Sequence, residues 1–202
     1  MLGYEAIPRS ESDFLLDRWG FDLIDDYFSM ITAAEFAGDI TVVDFATGTG
    51  RAASVLSRLG YRVLTGDYNS NLRSDSITRI TEKFLDKVDF VRLNLEKIPL
   101  PDNSAPNVVC INTLHELENP FMCIDEMIRV HLPEGRLLIA DFNSEGFDVM
   151  DRLHLVKHGL LHPRGKISSE EIKKILISKY SCVKEIKSKL NTGFIASGIL
   201  NK

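Results

Sequence analysis

The stretch Thr41-Val-Val-Asp44-Phe-Ala46-Thr47-Gly48-Thr-Gly50 decides how the rest of the chain is read. A short apolar run ends in an acid, Asp44, and a glycine-bearing turn follows. Arg51-Ala-Ala-Ser-Val-Leu-Ser-Arg-Leu then carries a helical pattern. Gly48 and Gly50 accept positive φ and place no β-carbon between the backbone and a ligand. The helix beyond the turn begins with unpaired N–H groups and a partial positive charge. Strand, glycine turn and helix in this order make a site for a nucleotide-like cofactor.

Two cofactor classes compete for the turn. Gly48-Thr49-Gly50-Arg51-Ala52-Ala53 fits the dinucleotide pattern G-x-G-x-x-[GA], and Asp67 follows where a ribose-binding acid belongs. That would make the chain an NAD(P)-dependent oxidoreductase. Asp44 opposes it, because a carboxylate at the strand tip repels a pyrophosphate. A cofactor carrying a sulfonium and an ammonium, and no phosphate, is favoured by the same charge.

Working outward, short apolar segments alternate with helical ones. Thr41–Phe45, Tyr61–Thr65, Val88–Leu93, Asn107–Ile111 and Arg136–Phe142 have strand character. Helical patterns cover Arg51–Leu59, Asn71–Lys87, Phe121–Val130, Phe147–Lys157 and Ser169–Ser178, the last opened by a Ser168/Glu171 capping pair. Such alternation predicts an α/β, Rossmann-like, doubly wound sheet, mostly parallel. Cys182–Leu190 and Phe194–Asn201 read as two strands joined at Asn191-Thr-Gly193, an antiparallel C-terminal hairpin. Glu11–Trp19 and Asp22–Phe36 precede the first strand as two amphipathic helices.

The segment Asp44–Gly50 resembles motif I of the class I S-adenosylmethionine-dependent methyltransferases, D/E-x-G-x-G-x-G, with Ala46 at the first glycine. This version is similar to that of the small ubiquinone/menaquinone C-methyltransferase type. Three further stretches extend the resemblance over about residues 41–142. Gly66-Asp67-Tyr68-Asn69-Ser-Asn-Leu72 would take the ribose on Asp67 and the adenine face on Tyr68. Asn94-Leu95-Glu-Lys-Ile-Pro stands where the family binds the adenine edge, with Asn94 in place of an aspartate. Asn107-Val-Val-Cys-Ile-Asn112-Thr-Leu-His115 would bring Asn112 beside the methionine part of the cofactor. The resemblance implies seven strands with the last inserted next to the fifth, and a cofactor shell of Asp44, Ala46, Thr47, Gly48, Gly50, Asp67, Tyr68, Asn69, Leu72, Asn94, Leu95 and Asn112. The function it implies is in-line methyl transfer from S-adenosyl-L-methionine to a small acceptor, a protein acceptor being the other option. A cofactor-binding module without turnover is the alternative within the same fold.

The acceptor side is read from less familiar residues. His115 projects from the fourth strand's tip and is the candidate for contact with the acceptor or removal of its proton. Asp141 ends the fifth strand at the same rim. His154 and His158 lie four apart and share a helix face, while Gly159 and Pro163 end that helix before His162 can join them. Trp19 and the two leading helices would form a lid. Substrate contact is therefore expected from Trp19, His115, Asp141, His154 and His158. No metal is expected, because no acidic or cysteine ligand stands out beside the histidine pair.

Size and charge narrow the classes. The 202 residues suit a single domain, divided into lid helices (1–38), cofactor core (39–142), substrate rim (143–168) and a closing helix and hairpin (169–202). The formal charge of −5 and the lack of a basic block argue against a nucleic-acid partner. No apolar run reaches membrane-spanning length, and a cytoplasmic location is expected. Cys110, Cys123 and Cys182 form no metal or disulfide pattern, and Cys110 and Cys182 sit in apolar runs that predict buried thiols.

Overall fold

A computed structural model describes residues 5–38, 40–69 and 73–200. Its sheet has seven strands among the described residues: β1 (Val42–Phe45), β2 (Val63–Asp67), β3 (Val88–Arg92), β4 (Ala105–Ile111), β5 (His131–Phe142), β6 (Tyr180–Lys187) and β7 (Asn191–Ile199). The order is β3-β2-β1-β4-β5-β7-β6. β1 to β5 pair in parallel, and β7 runs antiparallel to both β5 and β6. The insertion of the last strand beside the fifth is as the resemblance implied.

Alternate side chains on the central strands feed two cores, as the period of two requires. Val42, Val109, Ile111, Leu138 and Ala140 face α1 (Glu11–Arg18), α2 (Leu23–Ala34), α3 (Arg51–Arg58) and α6 (Ser144–His158). Val43, Phe45, Val108, Cys110, Leu137 and Ile139 face α5 (Pro120–Val130) and α7 (Ser169–Lys179). Helices on both faces leave the C-terminal strand ends open, with β1 flanked by β2 on one side and β4 on the other. That reversal of strand order is where open α/β sheets bind ligands.

Four expectations need correction. The helix expected over Asn71–Lys87 is α4 (Arg73–Ile80) followed by a 3-10 turn, Glu82–Lys87, because Thr81 adopts φ +71° and breaks the helical path. β5 begins at His131, five residues before the expected start, and its pairing with β4 shifts register between Ala105 and Asn107. The hairpin turns at residues 188–190, and Asn191–Gly193 belong to β7. The turn is fixed from outside the hairpin: Asp26 of α2 accepts from the Leu190 N–H at 2.7 Å and the Ser188 hydroxyl at 2.9 Å. Gly193 faces the Ala140 side chain so closely that a β-carbon would sit 3.0 Å from it, so this glycine serves packing. Finally, Cys182 is exposed on β6, the edge strand, whereas Cys110 is buried as expected.

Candidate functional site

The turn after β1 is held by neighbours on both sides. Ala46, Gly48 and Gly50 have φ of +65°, +50° and +81°. Ala46, in the place of the family's first glycine, therefore carries a left-handed backbone that an L residue adopts at a cost. The Thr47 N–H donates to the Gly66 carbonyl at 3.0 Å, and the Gly48 N–H to Asp67 Oδ2 at 2.9 Å. The Ser76 hydroxyl of α4 donates to the Gly48 carbonyl at 2.9 Å. A β-carbon at Gly50 would stand 2.9 Å from the Ser76 Cα, so this glycine admits α4 as well as the turn.

Asp44 lies beneath the turn, almost fully buried, and accepts from the Thr65 hydroxyl at 2.8 Å. Burial pushes its carboxyl up to about 7; the Thr65 hydrogen bond opposes the rise and the nearby Asp67 charge adds to it. No cation pairs with it among the described residues. It lines a cleft of about 640 Å³ that also takes in Gly48, Asp67, Asn112, His115 and His162. Asn112, at φ +54°, donates nothing from its buried Nδ2, while its Oδ1 accepts from Asn191. A buried carboxyl with no cation on it and an amide N–H with no acceptor, both lining this cleft, suit an ammonium and a carboxylate on one ligand, which is the polar end of S-adenosylmethionine.

A second cleft, about 360 Å³, shares Ala46, Asp67 and Leu117 with the first and adds Tyr68, Asn94 and Leu95. The expected adenine residues thus adjoin the expected methionine residues through Asp67. Tyr68 is exposed, with the Arg92 guanidinium 5.3 Å from its ring centre. Asn94 Oδ1 already accepts from the Glu96 N–H at 3.0 Å, and Asp67 Oδ1 from the Asn69 N–H at 2.8 Å. Both oxygens keep a further lone pair for a ligand. Leu72 lies outside the described residues.

At the other end of the main cleft four side chains form one chain of contacts. Asp141 Oδ1 is 2.6 Å from His115 Nδ1, and Asp141 Oδ2 accepts from the His115 backbone N–H at 3.0 Å. His115 Nε2 lies 2.9 Å from His162 Nε2, and His162 Nδ1 lies 3.0 Å from His154 Nε2. Both ring nitrogens of His115 are therefore engaged, so any contact it makes with an acceptor is made as part of this group. His162, the one sequence reasoning set aside, is buried at its centre. Gly159 ends α6 in the left-handed conformation, the chain doubles back, and the His162 N–H donates to Asp151 of α6 at 3.0 Å. The glycines at 159 and 165 were the signal for that return. Burial, with His115 and His154 adding to it, lowers the His162 pKa to about 4, so the ring is neutral near pH 7. His154 stays in the cleft, whereas exposed His158 stacks edge-on against His154 at 5.3 Å and does not line it.

Leu16, Leu23 and Tyr27 of the leading helices line the cleft, and Trp19 does not. Its ring packs under Arg152, 3.9 Å from the guanidinium carbon, and lies outside the cleft lining. Asp13 performs the docking: it is buried and bonds Arg51 of α3 at 2.8 Å and Arg79 of α4 at 2.8 Å. Burial raises its carboxyl, yet Arg51 and the Ser10 hydrogen bonds outweigh that and hold it well below the usual carboxylate range. Tyr27 of α2 donates to the Ile111 carbonyl at 3.2 Å and lines the cleft.

Comparison with known proteins agrees with this fold and with the cofactor class. Residues 43–139 match a family described as a methyltransferase domain. A ubiquinone/menaquinone biosynthesis C-methyltransferase of Pseudomonas putida is 32% identical over 172 residues, covering 75% of this chain and 67% of that one. The corresponding protein of Hahella chejuensis is 27% identical over 70% of this chain and 65% of its own length. This chain thus spans about two thirds of the length of these relatives. A methyltransferase structure from Aquifex aeolicus superposes with a TM-score of 0.64 at 21% identity, covering 95% of this chain and 100% of that one, which shows the fold. Four ordered motifs, adjoining clefts along the strand ends and these matches place the chain in the class I S-adenosylmethionine-dependent methyltransferases, in the group similar to the ubiquinone/menaquinone C-methyltransferases.

Proposed function

We propose that this chain methylates a small, hydroxyl-bearing aromatic acceptor of the hydroquinone or phenol class. The observation that carries the reading is the single cleft running from the cofactor shell at Asp44 and Asp67 to the histidine group at His115 and His162. Bound S-adenosylmethionine supplies the methyl group; its S–CH3 bond breaks with the electron pair left on sulfur as the acceptor's carbon or oxygen forms the new bond. The protein's part is placement and exclusion of water, worth roughly 7–11 kcal/mol when alignment is good.

Asp44 and Asn112 fix the charged end of the cofactor, and Asp67 its ribose. Tyr68, Asn94 and Leu95 hold the adenine. Leu16, Leu23, Phe142, Met150 and Leu153 line the cleft as the apolar wall an aromatic ring would meet. The histidine group stands where an acceptor hydroxyl needs help losing its proton, since a ring carbon becomes strongly nucleophilic only beside an ionised oxygen. The curated relatives' printed names support this acceptor class.

The test is incubation with methyl-labelled S-adenosylmethionine and a panel of short-chain hydroquinones and phenols, with products identified by mass spectrometry. An aromatic product heavier by one methylene supports the proposal. Retained S-adenosylhomocysteine binding without any labelled product would overturn the acceptor class and favour another small molecule, a protein acceptor or a module without turnover.

A further inference from the structure

Three of the five histidines, His115, His154 and His162, line one end of the cleft, and two of them aim the same nitrogen at a common point. His115 Nε2 and His162 Nε2 are 2.9 Å apart, and the Glu116 carboxylate lies 3.8 Å from His115 Nε2. All three donor atoms fall within 4.8 Å of one another. We propose that His115 Nε2, His162 Nε2 and the Glu116 carboxylate form a binding site for a divalent first-row transition ion at the acceptor end of the cleft.

Three observations carry this. First, the spacing fits. Two imidazole nitrogens each about 2.0–2.1 Å from one ion stand about 2.9 Å apart at the right angle of octahedral or tetragonal coordination and about 3.3 Å apart at the tetrahedral angle, a shift of a few tenths of an ångström. Second, each ligand ring is held from behind. Asp141 grips His115 Nδ1 at 2.6 Å, and His154 grips His162 Nδ1 at 3.0 Å. A carboxylate or second polar group on the far nitrogen is how metal-binding imidazoles are oriented and made more basic. Third, Glu116 has no lysine or arginine partner among the described residues. The nearby cations are committed: Arg164 to Asp148 and Asp151, Lys166 to Glu118, and Lys157 to Glu11. The side chain is largely exposed on the 3-10 turn Leu114–Glu116 and is free to swing the short way to the imidazoles.

Without an ion the same rings satisfy a hydrogen-bonded chain. Asp141 accepts from His115 Nδ1, which obliges His162 to donate from Nε2 and His154 to donate to His162 Nδ1. An ion keeps the His115 tautomer and moves only the protons of His162 and His154, so the site is ready for either. Two imidazoles and one carboxylate leave coordination positions open. Those face a cleft that His115, Glu116 and His162 all line. Under the proposed acceptor class, an acceptor oxygen bound there would ionise without a dedicated base, as metal-bound hydroxyls do. Binding of the ion itself does not depend on that acceptor.

The experiment uses untagged, chelator-stripped protein loaded with Co2+ alone, or Zn2+ alone, then passed through gel filtration and assayed by elemental analysis. Calorimetry and the visible Co2+ spectrum give affinity and ligand field. About one equivalent per chain is expected, with a ten- to hundredfold loss of affinity in Glu116→Gln and a larger loss in His162→Ala. Cys182→Ser, which removes the exposed thiol as a rival ligand, should bind as the parent does. Far-ultraviolet circular dichroism checks that His162→Ala is folded, and exposed Glu116→Gln decides the matter if it is not. Metal content near zero, or unchanged affinity in folded variants, overturns the site and leaves a hydrogen-bonded histidine chain. Metal binding without methylation of any phenol would leave the site standing and remove only the acceptor class.

Discussion

Gly165 packs against the backbone of His115: a β-carbon there would fall 2.4 Å from the His115 Cα and 2.7 Å from its carbonyl oxygen. Gly165 also has φ +75°. Gly165→Ala thus combines left-handed strain, roughly 1–2 kcal/mol, with overpacking against backbone, roughly 1–3 kcal/mol. We expect a loss of about 2 kcal/mol or more in denaturant unfolding. Amide exchange should rise around His162, because the segment after α6 must lift from His115. An unchanged midpoint would show that the contact is not maintained in solution.

Asp44 predicts an unusual pH dependence. Its carboxyl is raised by burial to about 7 in the folded chain, against about 4 when unfolded. Between those values the folded state holds a proton that the unfolded state has released. The Asp44 contribution to stability therefore falls as pH rises from about 4 to about 7 and is flat above. A cationic ligand favours the ionised form, so S-adenosylhomocysteine affinity should rise over the same window. Calorimetry at pH 5.5 and 8 checks this, and Asp44→Asn should flatten the difference. Equal affinities in the parent chain would remove Asp44 from the ammonium site.

Asp67→Ala should weaken S-adenosylhomocysteine by roughly ten- to a hundredfold, the worth of one or two hydrogen bonds to a charged group. The carboxylate also anchors the Gly48 N–H. Asp67→Asn, which can keep that anchor, separates the two effects: it should restore stability more than affinity. Full affinity in Asp67→Ala refutes the ribose assignment.

Asp13→Ala leaves Arg79 buried without its carboxylate and unpins the first helix. Removing one partner of a buried pair costs about 3–5 kcal/mol, and the loss should appear directly in thermal or urea unfolding. The folded Asp13 carboxyl is depressed, so its stabilisation is present above the ordinary carboxylate pKa and disappears as pH falls through the lower folded value. A variant within 1 kcal/mol of the parent would show that the helix docks by its apolar face alone.

Much of this was readable from local chemistry. Asp44, the glycines and Asp67 could be found because each sits where a strand ends, and strand ends are written in short patterns. What escaped was set by distant partners. Asn191-Thr-Gly193 has turn composition, yet Asp26, more than 160 residues away, captures Leu190 and Ser188 and turns the chain earlier. His162 falls past the end of a helix, where periodicity says nothing, and reaches His115 only because two left-handed glycines fold its segment back. Trp19 looked like a lid aromatic, but Arg152 from α6 claims its face. Thr81 broke a helix with no glycine or proline to announce it.

The strand order has a consequence for synthesis. β6 leaves the ribosome before β7, yet it meets the sheet only through β7. The edge of β5 therefore stays bare, and β6 waits unpaired, until residues 191–199 emerge and slide between them. A nascent chain stalled just short of Asn191 would expose the Leu137–Phe142 edge to other polypeptides, so the interval before β7 emerges is one of open strand edges.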